Sequence, residues 1–226
     1  MVKKLQWDSE FFDLKVGEIS LDAPLHAIEI DEDFDLMYVL SKDDFALHIS
    51  EYENTFSETK VFFVKKIEFN EYNAAPIFSF DKTKMPIEPL YELAYESGKN
   101  SRFLLDKKFE QSHFKNLYKT WVDNSLNNMF ADDVLVFLEA DEIKGFVSYK
   151  IKENTLTIGL IAVDFKHQNK GIGAQLLKKM EQIAFEKGMT QIKIPTQLSN
   201  TQACAFYEKQ GYSIEEKTYI KHFWKI

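Results

Sequence analysis

Residues 160–188 read LIAVDFKHQNKGIGAQLLKKMEQIAFEKG, and the hexapeptide QNKGIG at 168–173 decides how the rest is understood. The chain has only eight glycines, yet two stand here one residue apart, between an apolar strand and an amphipathic helix. Ile172, Leu176, Leu177, Met180, Ile183 and Ala184 recur at helical spacing and line one face of that helix. A helix N-terminus carries free N–H groups and a partial positive charge, so it suits an anion. Glycines at 171 and 173 let the backbone approach a diphosphate where a Cβ would block it, and Lys170 adds a cation. On the turn alone, an ordinary strand-to-helix connection accounts for the same residues. Two other phosphate motifs fail. A P-loop needs Gly-Lys-Ser/Thr at the helix start, and Lys170 precedes the glycine instead. A dinucleotide fingerprint needs a small residue where Leu176 stands and an acid ending the next strand, which QIKIPTQ lacks.

The bulk numbers narrow the partners. At 226 residues the chain suffices for one large domain or two small ones, and twenty phenylalanines imply an aromatic-rich interior. A formal charge of −8 argues against nucleic acid as a partner, although one pocket of donors can still hold a small anion. Cys204 is the single cysteine, so no internal disulfide forms and a reducing compartment fits. The N-terminal MVKKLQWDSEFFDLKV has no long apolar run, and no stretch approaches the ~20 apolar residues of a membrane helix. The expected location is the cytoplasm, with no membrane partner. The five histidines show no paired spacing, so no metal site is expected.

The first ninety or so residues read as strands with turns: KVGEISL, LMYVLS and KVFFVKKIEF, separated by DAP, DEDFD and NEYNAAP. PIEPLYELAYESG is a helix with prolines near its start and Gly98 placed to end it. A second helix covers roughly 110–127, with Phe114, Leu117, Tyr118, Trp121, Val122 and Leu126 as its buried stripe. DVLVFLEA, GFVSYKI and TLTIGLIAV form an antiparallel meander, and Gly159 inside the third strand fits a bulge or a close backbone approach. The glycine-turn helix, the strand QIKIP and a helix over about 200–210 follow, and GYSIEEKTYIKHFWKI closes the chain as a hairpin or two short strands. The order implies an α/β fold with a mixed sheet. The domain boundary falls near residue 97, giving an N-terminal unit over 1–96 and a second over 97–226.

Gln168-x-x-Gly171-x-Gly173 after an apolar strand resembles the pyrophosphate loop of the GNAT acyltransferases, and NTQACAFYEKQGY at 200–212 resembles that family's final helix. The resemblance implies a GNAT fold with a mixed, mainly antiparallel sheet, and acetyl-CoA as cosubstrate. It implies that Gln168, Asn169, Lys170, Gly171, Ile172, Gly173 and Ala174 hold the pyrophosphate. It implies further that Ile161, Ala162 and Val163 lie along the pantetheine arm, and that Asn200 and Ala203 complete the cofactor site. Tyr207 becomes the general-acid candidate, able to donate to the leaving thiolate; a core aromatic is the alternative. Backbone N–H groups around Ile161 would meet the oxyanion. No carboxylate lies in TLTIGLIAV to act as base, and Glu139 is better explained as a solvated strand end.

Arg102 is the only arginine among 28 basic residues, which suggests a task lysine cannot perform: forked recognition of a phosphate or carboxylate, in a ligand or in the protein itself. KLQWDSEFF, SRFLLDKKF and LYKTWVDNSL resemble sequences of the dTDP-fucosamine (dTDP-4-amino-4,6-dideoxygalactose) acetyltransferase family. In that family a GNAT-like N-terminal half precedes a complete GNAT half. The stretch 22–85 matches nothing, and Asp13 stands where the family often has glycine. The resemblance implies a small-molecule acceptor, a nucleotide-linked amino sugar, with Arg102 as a contact. His222 in YIKHFW could also face the acceptor or sit at the core edge. Rival readings are an enzyme for a peptide N-terminus, amino acid or polyamine, and a non-catalytic coenzyme A-binding module. An exposed C-terminal strand would offer an edge for a homodimer.

Overall fold

The computed structural model describes residues 2–68 and 75–226. The N-terminal part contains β1 (Lys3–Lys4), α1 (Gln6–Phe12), β2 (Val16–Leu21), β3 (Ala27–Ile28), β4 (Leu36–Ser41), β5 (His48–Ile49), β6 (Tyr52–Lys66) and β7 (Ile77–Ser79). Then follow α2 (Glu88–Ser97), α3 (Arg102–Leu105), α4 (Gln111–Leu126), β8 (Asp133–Glu139), β9 (Glu142–Lys152) and β10 (Thr155–Val163). After a 3₁₀ turn (Phe165–His167) come α5 (Ile172–Glu186), β11 (Gln191–Gln197), α6 (Thr201–Lys209) and β12 (Ser213–Lys225). Most of the turn at NEYNAAP, and Phe69 at the end of KVFFVKKIEF, lie outside the described residues.

Among the described residues ten strands form one sheet in the order β1-β2-β4-β12-β6-β11-β10-β9-β8-β7, in which only β2/β4 and β10/β11 are parallel; β3 and β5 make a separate pair. Strand alternation sends neighbouring side chains to opposite faces. Leu135 and Phe137 thus join the core beneath α5 and α6, whereas Val134 and Val136 pack on the other face with α2 and α4. On the first face Leu176, Leu177 and Met180 of α5 are wholly buried, each contributing about 1.5–3 kcal/mol. The mixed, mainly antiparallel sheet covered by helices on both faces is the expected α/β fold.

Two expectations need correction. The first concerns the N-terminus, where α1 stands in a region that reads as strand. Its N-cap, Leu5, offers no capping side chain, so no sequence signal announces it. Asp13 ends this helix at φ 53°, a left-handed position that explains why glycine suits it and why an aspartate is tolerated. The second concerns the C-terminus, which is one strand of 13 residues rather than a hairpin. It is paired with β4 on one side and β6 on the other, and absorbs its irregularity as bulges at Ile214/Glu216 and His222/Phe223. From Tyr219 to Trp224 both edges of β12 are therefore occupied, whereas 213–218 pair with β6 alone. Gly98 ends α2 as expected, but at φ −92°, a conformation any residue adopts. Glycine is needed there for room: an added Cβ would lie 2.2 Å from Cζ of Tyr118. Gly98→Ala should lower stability by about 1–3 kcal/mol through overpacking; an unchanged urea midpoint would refute this.

The sheet is continuous across residue 97, because β6 lies between β11 and β12. No helix among the described residues is long and apolar enough to cross a membrane.

Candidate active site

β10 and β11 pair only through 155–157 against 191–193. Beyond that they part, and 158–163 and 194–197 become facing walls of a cleft of about 780 Å³. The β11-facing backbone groups of this part of β10 have no strand partner, so amides open into the cleft. A register shift against β9 between Ile158 and Ile161 bends the strand away. Gly159 sits in that bulge, where a Cβ would come 3.0 Å from Ser148 Oγ, the atom that accepts the Leu160 N–H at 2.9 Å.

At the end of β10 the chain turns into α5 through two left-handed residues, Asn169 (φ 61°) and Gly171 (φ 84°). A Cβ on Gly171 would meet nothing within 4 Å, so glycine serves the dihedral angle there. A Cβ on Gly173 would come 3.1 Å from the Phe206 ring, so that glycine also lets α6 approach the first turn of α5. Gln168 uses both ends of its amide: Nε2 donates to Val163 O at 3.2 Å, and Oε1 accepts from Gln202 Nε2 at 3.2 Å. Asp164 holds the preceding turn by accepting from Lys166 N–H and pairing with His167 Nδ1 at 2.8 Å. The N-terminus of α5 consequently faces the cleft as a fixed set of donors.

Asn200 caps α6 through Oδ1, which accepts the Ala203 N–H at 3.3 Å, and the helix carries Tyr207 to the cleft wall. Tyr207 is 5% exposed, packs against Phe63, and burial pushes its hydroxyl well above the ordinary phenol range. It therefore stays protonated throughout the working pH range.

The same cleft is also lined by Arg102 and by two residues of β6, Glu58 and Lys60. The Arg102 guanidinium lies 4.5 Å from the Tyr38 ring centre and 4.8 Å from that of Phe103. It makes no ion pair within 4.0 Å among the described residues, so the cation is held by aromatic faces and not by a carboxylate. Burial raises the Glu58 carboxyl above its usual range, against the opposing pull of Arg102 and Lys60, and its Oε2 is buried with no partner. Burial and Arg102 depress the Lys60 ammonium.

Of the sequence candidates, Ile161, Ala162, Val163, Gln168, Asn169, Gly171, Ile172, Gly173, Ala174, Asn200, Ala203, Tyr207 and Arg102 all line this cleft. Lys170 is exposed off its wall. His222 also lies off the wall, wholly buried and bonded through Nδ1 to Asp106 at 2.7 Å, so it cannot touch an acceptor. Its neighbours Phe56, Phe109 and Tyr38 are aromatic, and their desolvation lowers its pKa to about 4. Glu58 and Lys60 are the cleft residues that sequence reasoning missed: the strand expected from Lys60 begins at Tyr52, eight positions earlier. The alternation Glu58, Lys60 against Val61, Phe63 was the available signal. Among the described residues, no three His, Cys, Asp or Glu side chains gather as metal ligands.

Residues 90–212 match the acetyltransferase (GNAT) family model. The chain belongs to the GNAT family. The GNAT chain is 28% identical over 138 residues to the spore coat polysaccharide biosynthesis protein SpsD of Bacillus subtilis, covering 61% of this chain and 47% of that one. It is 28% identical over 130 residues to dTDP-fucosamine acetyltransferase of Escherichia coli, covering 52% of this chain and 55% of the relative. The matched region thus spans about half the length of these relatives. A GNAT-family protein from Novosphingobium aromaticivorans shares the fold, with a TM-score of 0.58 at 11% identity over 87% of this chain and 77% of its own.

Proposed function

We propose that this GNAT protein transfers the acetyl group of acetyl-CoA to the amine of a nucleotide-linked amino sugar of the dTDP-4-amino-4,6-dideoxyhexose type. One observation carries the reading: an arginine without a carboxylate partner and a buried, unpartnered carboxylate face the same cleft as the glycine loop and Tyr207. Acetyl-CoA would supply the acetyl group in activated thioester form. Its pyrophosphate fits the donors at 168–174, and its arm fits the wall at 158–163. Arg102 would fork onto a phosphate of the acceptor, placing the amine near Glu58. Glu58 accepts a proton from the amine, the unpaired amides of β10 stabilise negative charge on the carbonyl oxygen, and Tyr207 donates to the departing sulfur.

The N-terminal half would furnish the acceptor side, since Glu58 and Lys60 both come from β6. Likeness to a polysaccharide-biosynthesis protein and to a dTDP-sugar acetyltransferase supports the acceptor class. A thiol-release assay over dTDP- and UDP-amino sugars, amino acids, polyamines and peptides tests it. Turnover is expected with at least one nucleotide sugar and, in Arg102→Ala, a rise of about 10²-fold in acceptor KM. Turnover of peptides or polyamines alone rejects the acceptor class, and no turnover with any amine favours a coenzyme A-binding module.

A further inference from the structure

We infer that Asp106 and His222 are positioning residues for Arg102, acting through the Tyr38 ring; the inference rests on the acceptor-binding role of Arg102 proposed above. Arg102 opens α3 and Asp106 ends it, the Asp106 N–H donating to Arg102 O at 3.0 Å. The Asp106 carboxylate accepts from His222 Nδ1 at 2.7 Å, Trp224 Nε1 at 3.0 Å, the Lys108 N–H at 3.1 Å and Thr55 Oγ1 at 3.3 Å. These bonds pin α3 to β6 and β12 at once. The His222 ring, fixed by that carboxylate, is the cross-strand neighbour of Tyr38, its centroid 4.8 Å away and its plane tilted by 39°, and the same Tyr38 ring carries the guanidinium at 4.5 Å. Carboxylate, imidazole, phenol ring and guanidinium form one continuous set of contacts.

A purely space-filling role does not explain the residue types. Tyr38 Oη and His222 Nε2 are both buried without a hydrogen-bond partner. At Tyr38 phenylalanine would bury a similar ring with no orphaned polar atom, so stability gives no reason for the hydroxyl, whereas at His222 the Nδ1–H supplies a buried carboxylate that phenylalanine would leave short of a donor. That same bond fixes the ring that lies beside the platform. Holding an arginine by an aromatic face immobilises it while leaving its edge donors free, which a neutralising carboxylate would not do.

Calorimetric titration of dTDP into the full-length protein saturated with coenzyme A reads the Arg102 contact without requiring the acceptor itself. His222→Phe should weaken dTDP about 10-fold while coenzyme A affinity changes less than about twofold, and in an Arg102→Ala background it should weaken dTDP no further. Additive losses in the double variant overturn the inference and leave the role of Arg102 standing. An Arg102→Ala protein that binds dTDP like the wild type overturns that role and the inference with it. Should His222→Phe fail to fold, Trp224→Phe, which removes one donor to Asp106 and keeps a ring, goes through the same cycle with the same outcomes.

Discussion

Tyr207→Phe lowers the turnover number for amine acetylation by about 10²–10³-fold and leaves coenzyme A affinity within about a factor of two. The ring itself is core: it packs on Phe63, Phe206 and Tyr212, and phenylalanine preserves those contacts. Only the hydroxyl is lost, and it makes no hydrogen bond to the protein among the described residues, so nothing in the fold depends on it. The expected loss, about 2.7–4 kcal/mol, is that of one donor directed at charge developing on the sulfur. Burial holds the phenolic proton tightly, so in the proposed reaction the hydroxyl would act first as a hydrogen-bond donor and keep its proton in the ground state. Steady-state rates beside calorimetry with coenzyme A separate the two effects. Unchanged turnover in the variant would assign Tyr207 to the core alone.

Glu58→Gln should cost about 10²–10³-fold in kcat/KM for the acceptor and abolish the acid limb of the pH–rate profile. A base works ionised, and burial has raised this carboxyl, so wild-type activity climbs with pH through a value above the ordinary glutamate range. The same shift has a sign for stability. A carboxyl whose folded pKa is raised stabilises the fold fully below its unfolded pKa and loses that contribution as pH rises through the folded value. Glutamine has no charge to bury, so Glu58→Gln should melt higher than wild type at neutral pH and show no such gain below about pH 4. A variant that retains the acid limb removes Glu58 from the base role. One that melts lower at neutral pH contradicts the burial argument.

The parts of the site built from contiguous sequence were legible beforehand. The strand, glycine turn and amphipathic helix at 160–188 each follow from local periodicity and backbone freedom, and the structure assembles them without change. Asn200 is an N-cap, a signal confined to four residues. What sequence could not supply was set by long-range pairing. Glu58 reaches the cleft only because β6 pairs with both β11 and β12, more than a hundred residues away. His222 stands in the same strand pattern whether it faces solvent, ligand or core, and only Asp106 beside it decides. Gly98 does end α2, but what requires glycine there, the Tyr118 ring, lies on another helix and leaves no local signal.

The placement of β6 also bears on how this protein can be divided. The family match begins at residue 90, yet a fragment starting there would leave β11 with a bare edge and β12 with neither of its neighbours, β4 and β6. Such edges recruit foreign strands, so the fragment is an aggregation hazard and not a transplantable module. Chimeras and truncations in this lineage therefore have to carry 36–41 and 52–66 along with the helices, and any exchange of the upstream half also replaces Glu58 and Lys60 on the cleft wall.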